Sequence, residues 1–185
     1  HCVHKGRGGS AGFHRNFLFV PAFRDGAAPL GTFTPRRVRT TSQWLASNGL
    51  VPNAADFGML EMNDRAGKKI GAITGTLGFR TLSLLPNHTT KLGYPCNIDA
   101  CQKMQQVTSQ SFRATSPNSV EYGSNARGGS SGGPWVMNYG IQGKGGLTSN
   151  LNVVVGVSSY GYIETAPKVQ GSSIPDSRAG GFIPL

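Results

Sequence analysis

Short β-type runs broken by turn residues constrain this chain more than any other feature. Phe17-Leu18-Phe19-Val20, Gly71-Ala72-Ile73-Thr74 and Leu151-Asn152-Val153-Val154-Val155-Gly156-Val157 carry apolar, β-branched and aromatic residues over lengths that suit strands. Clusters such as Asn48-Gly49, Gly145-Gly146 and Ser172-Ser173-Ile174-Pro175 separate runs of this kind. The 27 glycines and 11 prolines supply the punctuation, and neither a strong helical period nor an internal repeat accompanies it. Many short strands joined by Gly/Pro turns predict an all-β barrel or sandwich. With 185 residues the chain can form one large or two small domains with a real core.

Composition excludes several function classes. No apolar run reaches the roughly 18 residues that a membrane-spanning helix needs, so no membrane partner is expected. Nor does the sequence open on a signal peptide; it begins at His1-Cys2-Val3. The net charge of +10 comes from 18 basic and 8 acidic residues, a balance that can attract nucleic acid or acidic substrates. The basic residues are scattered, however. Their densest cluster, Arg36-Arg37-Val38-Arg39, reads as a solvated edge strand, and no nucleic-acid-binding module is recognisable, so no nucleic-acid partner is expected. Cys2, Cys96 and Cys101 lack zinc-site spacing. Cys96 and Cys101 can close a small disulfide loop, which leaves Cys2 without a partner; no metal and no cofactor is expected. Asn87-His88-Thr89 matches a glycosylation sequon, which has meaning only in a eukaryotic secretory pathway.

Chemistry enters with Gly129-Ser130-Ser131-Gly132-Gly133-Pro134, followed by the apolar Trp135-Val136-Met137. Glycines on both sides allow a sharp bend and close approach of another molecule. A serine held in such a bend presents its hydroxyl while neighbouring backbone N–H groups converge beside it, the needs of a nucleophile and an oxyanion hole. The same hexamer also suits a flexible loop between two strands. A serine nucleophile needs a base, and the base needs a third group to orient it. The histidines are His1, His4, His14 and His88. Among the carboxylates, Asp56 stands out in the small and apolar run Ala54-Ala55-Asp56-Phe57-Gly58-Met59-Leu60. Burying it demands a partner. A histidine N–H is one candidate, and backbone N–H groups at a strand start are another.

Taken together, these segments resemble the trypsin-like serine peptidases. Gly129-Ser130-Ser131-Gly132-Gly133-Pro134 looks like their nucleophile loop, Asp56-Phe57-Gly58-Met59-Leu60 like the strand carrying their aspartate, and His1-Cys2-Val3 like the end of their histidine segment. Gly93-Tyr94-Pro95 is similar to an early second-barrel segment of the bacterial glutamyl-endopeptidase branch, and Val155-Gly156-Val157-Ser158-Ser159-Tyr160-Gly161 to the strand that lines the cleft. The order His, Asp, Ser is the order of that family. The resemblance implies an all-β fold of two antiparallel six-stranded barrels, the N-terminal one lacking its first strands. Residues 1–78 would form the remainder of that barrel, with His1 and Asp56. Residues 79–185 would form the second barrel, with the serine and the S1 pocket. A preceding segment or propeptide would complete the first barrel and bring the upstream partner of Cys2.

The resemblance also assigns roles. Ser131 becomes the nucleophile, His1 the general base and acid, and Asp56 the orienter. The N–H groups of Gly129 and Ser131 form the oxyanion hole. Asn125 would sit at the base of the S1 pocket with Ala126 beside it. This neutral base disfavours arginine or lysine, and Ser158 stands where glutamate-cleaving relatives place a histidine. Arg127 and the positive charge of the chain still favour acidic substrates. Ser159, Tyr160 and Gly161 would pair with substrate backbone, although Tyr160 equally suits packing at the barrel mouth. Ser130 departs from the Asp or Asn usual there, which removes activation through an ion pair with a new N-terminus. The expectation is a secreted serine endopeptidase acting on protein or peptide substrates. Two other readings stand beside it: an oxidative enzyme binding copper through the His1 amine and ring plus His4, His14 or His88, and a catalytically inactive relative that only binds peptides.

Overall fold

The computed structural model describes residues 1–81, 88–115, 119–140, 151–162 and 168–182. Asn87 of the sequon and the Gly145-Gly146 turn lie outside the described residues. Nine strands are described: β1 (Pro35–Thr40), β2 (Gly58–Met62), β3 (Gly78–Phe79), β4 (His88–Gly93), β5 (Gln105–Thr115), β6 (Ser119–Gly123), β7 (Pro134–Met137), β8 (Val153–Gly161) and β9 (Val169–Ser173). Single helical turns α1 (Ser42–Leu45), α2 (Gly71–Thr74) and α3 (Cys96–Asp99) lie between them.

Strands β8, β7, β4, β5, β6 and β9 pair in that order, each antiparallel to its neighbour, and β9 pairs back onto β8. The sheet thereby closes into a six-stranded barrel, which leaves no open edge around its circumference. β3 adds a short parallel pairing at the start of β8, through Gly78 and Phe79. The core follows from alternation on these strands: Val120, Tyr122, Trp135, Val153 and Val155 point inward and pack as one cluster. Tyr122 and Trp135 meet edge to face with ring centroids 4.4 Å apart.

The N-terminal half is built differently. β1 and β2 form an antiparallel ribbon in which Arg36 and Arg37 reach Glu61, so the basic cluster is an edge strand as expected. Isolated bridges join His4 to Phe13, Phe19 to Phe33, Arg24 to Ala27 and Arg65 to Lys68. No second closed barrel occurs among the described residues. Two strand expectations are corrected here. Phe17–Val20 contributes one bridge, at Phe19, because only Phe33 lies alongside it. Gly71–Thr74 winds into α2, where the Thr74 amide and hydroxyl both bond the Ile70 carbonyl and Gly75, at φ +75°, ends the turn. Local hydrogen bonding outweighs β propensity where no strand is available to pair. Trp44 of α1 anchors this half: it is fully buried and its indole N–H donates to the His4 carbonyl at 2.7 Å. His4 is itself a core residue. Its Nδ1 accepts from the Gly6 amide at 2.9 Å and its Nε2 bonds the Gly9 carbonyl at 2.7 Å.

One buried cation interrupts the barrel. Lys91 on β4 bonds the Ser109 hydroxyl at 2.7 Å, and its ammonium lies 4.6 Å and 5.1 Å from the rings of Tyr122 and Trp135. Burial pushes it down from 10.5 to about 8. Folding therefore works against its charge at neutral pH, and stability rises as pH climbs from 8 to 10.5, where only the unfolded chain still holds the proton. Lys91→Met is expected to stabilise the fold by about 1–3 kcal/mol at pH 7. Ser109 keeps its bond to the Gly123 carbonyl in that variant. Thermal unfolding at pH 7 and pH 10 checks this, with the gain shrinking at the higher pH.

Candidate active site

The turn before β2 places Asp56 in the interior, where it is 3% exposed. Three donors satisfy it. The His1 main-chain nitrogen bonds Oδ1; the His1 ring Nδ1, at 2.5 Å, and the Ser159 hydroxyl, at 2.6 Å, both bond Oδ2. This arrangement meets the cost of burying a carboxylate. It also fixes the imidazole: Nδ1 holds a hydrogen toward Asp56, so Nε2 is the nitrogen left to exchange a proton. The bonded Asp56 carboxylate raises the His1 ring from 6.5 to about 10; Cys2 adds to the rise and burial opposes it. Trp44 meets the imidazole edge to face at 6.4 Å.

The Ser131 loop is held from three sides. The Ser130 amide donates to the Arg127 carbonyl and the Gly133 amide to the Ser130 carbonyl, at 3.2 and 3.0 Å. Across the cleft, Gly132 donates to the Ser158 carbonyl and Ser158 to the Gly133 carbonyl, at 2.8 and 2.9 Å. Ser158 is a tether, since its hydroxyl also accepts the Trp135 indole N–H at 2.8 Å. On the outer side, the Cys96–Cys101 disulfide packs against Gly129. A Cβ there would meet the Tyr94 carbonyl at 2.5 Å and Cys96 Sγ at 2.6 Å, and φ is +95°, so only glycine fits. Cys2 is free and exposed, and it lines a cavity with His1 and Gly132. Among the described residues, the Gly129 and Ser131 amides and the Ser131 hydroxyl have no hydrogen-bond partner. Ser131 itself is exposed.

Two cavities flank this loop. One, of about 340 Å³, is lined by Ala126, Ser131, Ser158, Ser159, Tyr160 and Gly161, all singled out in the sequence. The other, of about 200 Å³, is lined by His1, Asp56, Gly132 and Ser158. Asn125 does not line either. In the segment 124–126, Ser124 and Ala126 are buried and Asn125 is exposed, its carbonyl accepting from Asn97 Nδ2 at 3.0 Å. The hydroxyl of the buried Ser124 bonds Gln170 on β9. Gly128, Ser130, Gln170, Tyr162, Arg127 and Val51 complete the larger cavity, and sequence reading gave no role to Gln170, Tyr162 or Val51. Val169-Gln170-Gly171-Ser172-Ser173 reads as an ordinary polar strand; only its register against β6 and β8 brings Gln170 to the cleft.

Tyr160 lines the larger cavity, and its hydroxyl bonds Thr115 and the buried Glu121, both at 3.0 Å. Burial pushes the phenol up to about 12. Glu121 also accepts from Tyr162 at 2.6 Å and from Arg113. Burial works to raise its carboxyl, but these donors outweigh it and hold it below the usual range.

The barrel, the His1–Asp56 pair and the exposed serine can now be set beside known structures. No protein-family model and no curated protein sequence matches the chain. Solved structures do. A protease named Anisep from Arthrobacter nicotinovorans superposes with a TM-score of 0.75 at 26% identity, over 94% of this chain and 74% of that one. A thermostable serine protease, AL20, from an extremophilic microorganism gives 0.75 at 23% identity, over 97% and 78%. A Glu endopeptidase gives 0.70 at 18% identity, over 98% and 75%. The chain has the chymotrypsin-type fold of trypsin-like serine peptidases. Its solved neighbours include a protease, a serine protease and a Glu endopeptidase, in line with the sequence resemblance.

Proposed function

We propose that the chain is a serine endopeptidase that cleaves protein or peptide substrates through an acyl-enzyme. One observation carries the reading: Asp56 grips His1 through Nδ1 and the main-chain nitrogen, beside a loop whose Ser131 hydroxyl and Gly129 and Ser131 amides have no partner among the described residues. His1 Nε2 takes the Ser131 proton as Oγ bonds the substrate carbonyl carbon, and the carbonyl π pair moves to oxygen. The Gly129 and Ser131 N–H groups stabilise that oxyanion. Collapse breaks the C–N bond, and His1 returns the proton to the leaving amine. Water then repeats the sequence on the ester, releasing the acid and restoring Ser131. No cofactor enters these steps.

A substrate crosses the ridge between the two cavities, with its carbonyl side in the larger one and its leaving group in the smaller. Ser159, Tyr160 and Gly161 lie past the pairing with β7, which ends at Val157, and on that side they take it up as an added strand. The larger cavity is lined by the neutral Gln170 and the basic Arg127, and this argues against arginine or lysine as the cleaved residue. Secretion accords with this activity, and no helix among the described residues is long and apolar enough to cross a membrane. The bonding of His1 favours the peptidase over the copper-binding reading, because the main-chain nitrogen and Nδ1 that copper would need are both turned onto Asp56.

Incubating the full chain with a peptide library tests the activity. Internal cleavage suppressed by a serine-directed phosphonate is expected; an uncleaved library overturns the reading. A pH dependence follows as well. His1 must be neutral to accept the proton, so kcat/KM rises with pH, its midpoint displaced above 6.5 toward 10. The stabilisation from the His1–Asp56 bond runs the other way: it is complete below pH 6.5 and is lost as pH rises through about 10. Initial rates from pH 6 upward check this, and a plateau already reached at pH 7 contradicts it.

A further inference from the structure

Ser130 is buried although it directly precedes the exposed Ser131. Its hydroxyl donates its one hydrogen to the Arg127 carbonyl at 2.6 Å. It can therefore only accept from Gln170, whose Nε2 lies 2.6 Å away. At the other end of the same amide, Gln170 Oε1 accepts from the Ser124 hydroxyl at 2.8 Å, and Ser124 in turn accepts from the Ala126 amide at 3.2 Å. Every donor in this relay has one acceptor, so its direction is fixed from Ala126 through Ser124, Gln170 and Ser130 to Arg127. Ser124, Ser130 and Gln170 are all buried, where an unmade hydrogen bond is most costly. The relay ties β9 to both ends of the one segment, 124–130, that leads into Ser131. By drawing Ser130 inward, it turns the neighbouring Gly129 and Ser131 groups outward.

We propose that Gln170 is a positioning residue: through Ser130 it holds the Gly129–Ser131 loop in the shape that receives the oxyanion. The loop is thus set by a neutral relay, with no ion pair required. This rests on the serine-peptidase reading above. The test compares wild type, Gln170→Met, Ser130→Ala and the double variant by three measurements: the rate of Ser131 labelling with a serine-directed phosphonate, kcat and KM on a peptide, and Tm.

Each single change is expected to slow labelling by about 10–100-fold, since one oxyanion donor alone is worth about 10²–10³. kcat falls by more than KM rises. The double variant is no slower than the slower single, because both changes cut the same relay. Labelling and kcat that stay within about twofold of wild type, with only Tm lowered, overturn the proposal, as do losses that multiply. Should Gln170→Met not fold, Gln170→Glu keeps the size and the acceptor for Ser124 while removing the N–H aimed at Ser130, and it carries the same expectation. A wild-type chain that is never labelled overturns the peptidase reading, and the proposal with it. Labelling that persists in Ser131→Ala does the same.

Discussion

Ser131→Ala lowers kcat on a cleavable peptide by on the order of 10⁶ and leaves the fold intact. The size of the loss follows from what the hydroxyl does and does not touch. It has no hydrogen-bond partner among the described residues and it is exposed, so removing it breaks no packing and frees no buried polar group. Stability is expected to move by no more than about 0.5 kcal/mol. What disappears is the only atom in the proposal able to carry the acyl group. The residual rate comes from the Gly129 and Ser131 amides and from substrate binding. Steady-state rates with a matched thermal melt separate this from unfolding. A variant that retains a tenth of the activity contradicts the assignment.

Asp56→Asn lowers kcat by on the order of 10⁴. The loss follows from the hydrogen bonds that Asp56 accepts. Two carboxylate oxygens accept three donors: the His1 main-chain nitrogen, His1 Nδ1 and Ser159 Oγ. An asparagine offers one oxygen and one NH₂ in the same space, so an N–H is pressed against a donor whichever way the amide turns. The ring then favours a hydrogen on Nε2, the nitrogen that has to accept one from Ser131. Loss of the carboxylate also withdraws the main cause of the raised His1 pKa, so the pH limb of the residual activity moves down toward 6.5. A rate loss without that shift would mean that Asp56 acts through folding alone.

The parts of this site that were legible in the sequence are local ones. Glycines around Ser131 announce a sharp bend, and an acid within Ala54–Leu60 announces a buried carboxylate in need of a partner. Their chemistry resides in the residues themselves and survives any uncertainty about register. The all-β class was legible, because its strands carry apolar and β-branched residues between turn signals; these left barrel and sandwich both open, and the barrel came from the family resemblance. Pairing between distant strands was not legible. Gln170 reaches the cleft only because β9 pairs with β6 and β8. Asn125 illustrates the same limit at single-residue resolution. Counting back from the serine selects it, yet Asn125 is exposed and its neighbour Ser124 is the buried side chain, bonded to Gln170. Gly71–Thr74 shows that β-branched residues alone do not make a strand where no partner edge is at hand. The Cys96–Cys101 loop was legible as a disulfide, but its place against Gly129 depends on the fold of the whole barrel.

The central claim is that Ser131 is a nucleophile activated by His1. Mass mapping of the full chain after reaction with a serine-directed phosphonate tests it most directly. A single adduct on Ser131 is expected, lost in Ser131→Ala and formed far more slowly in Asp56→Asn. An adduct on another residue, or one that persists in Ser131→Ala, contradicts the claim.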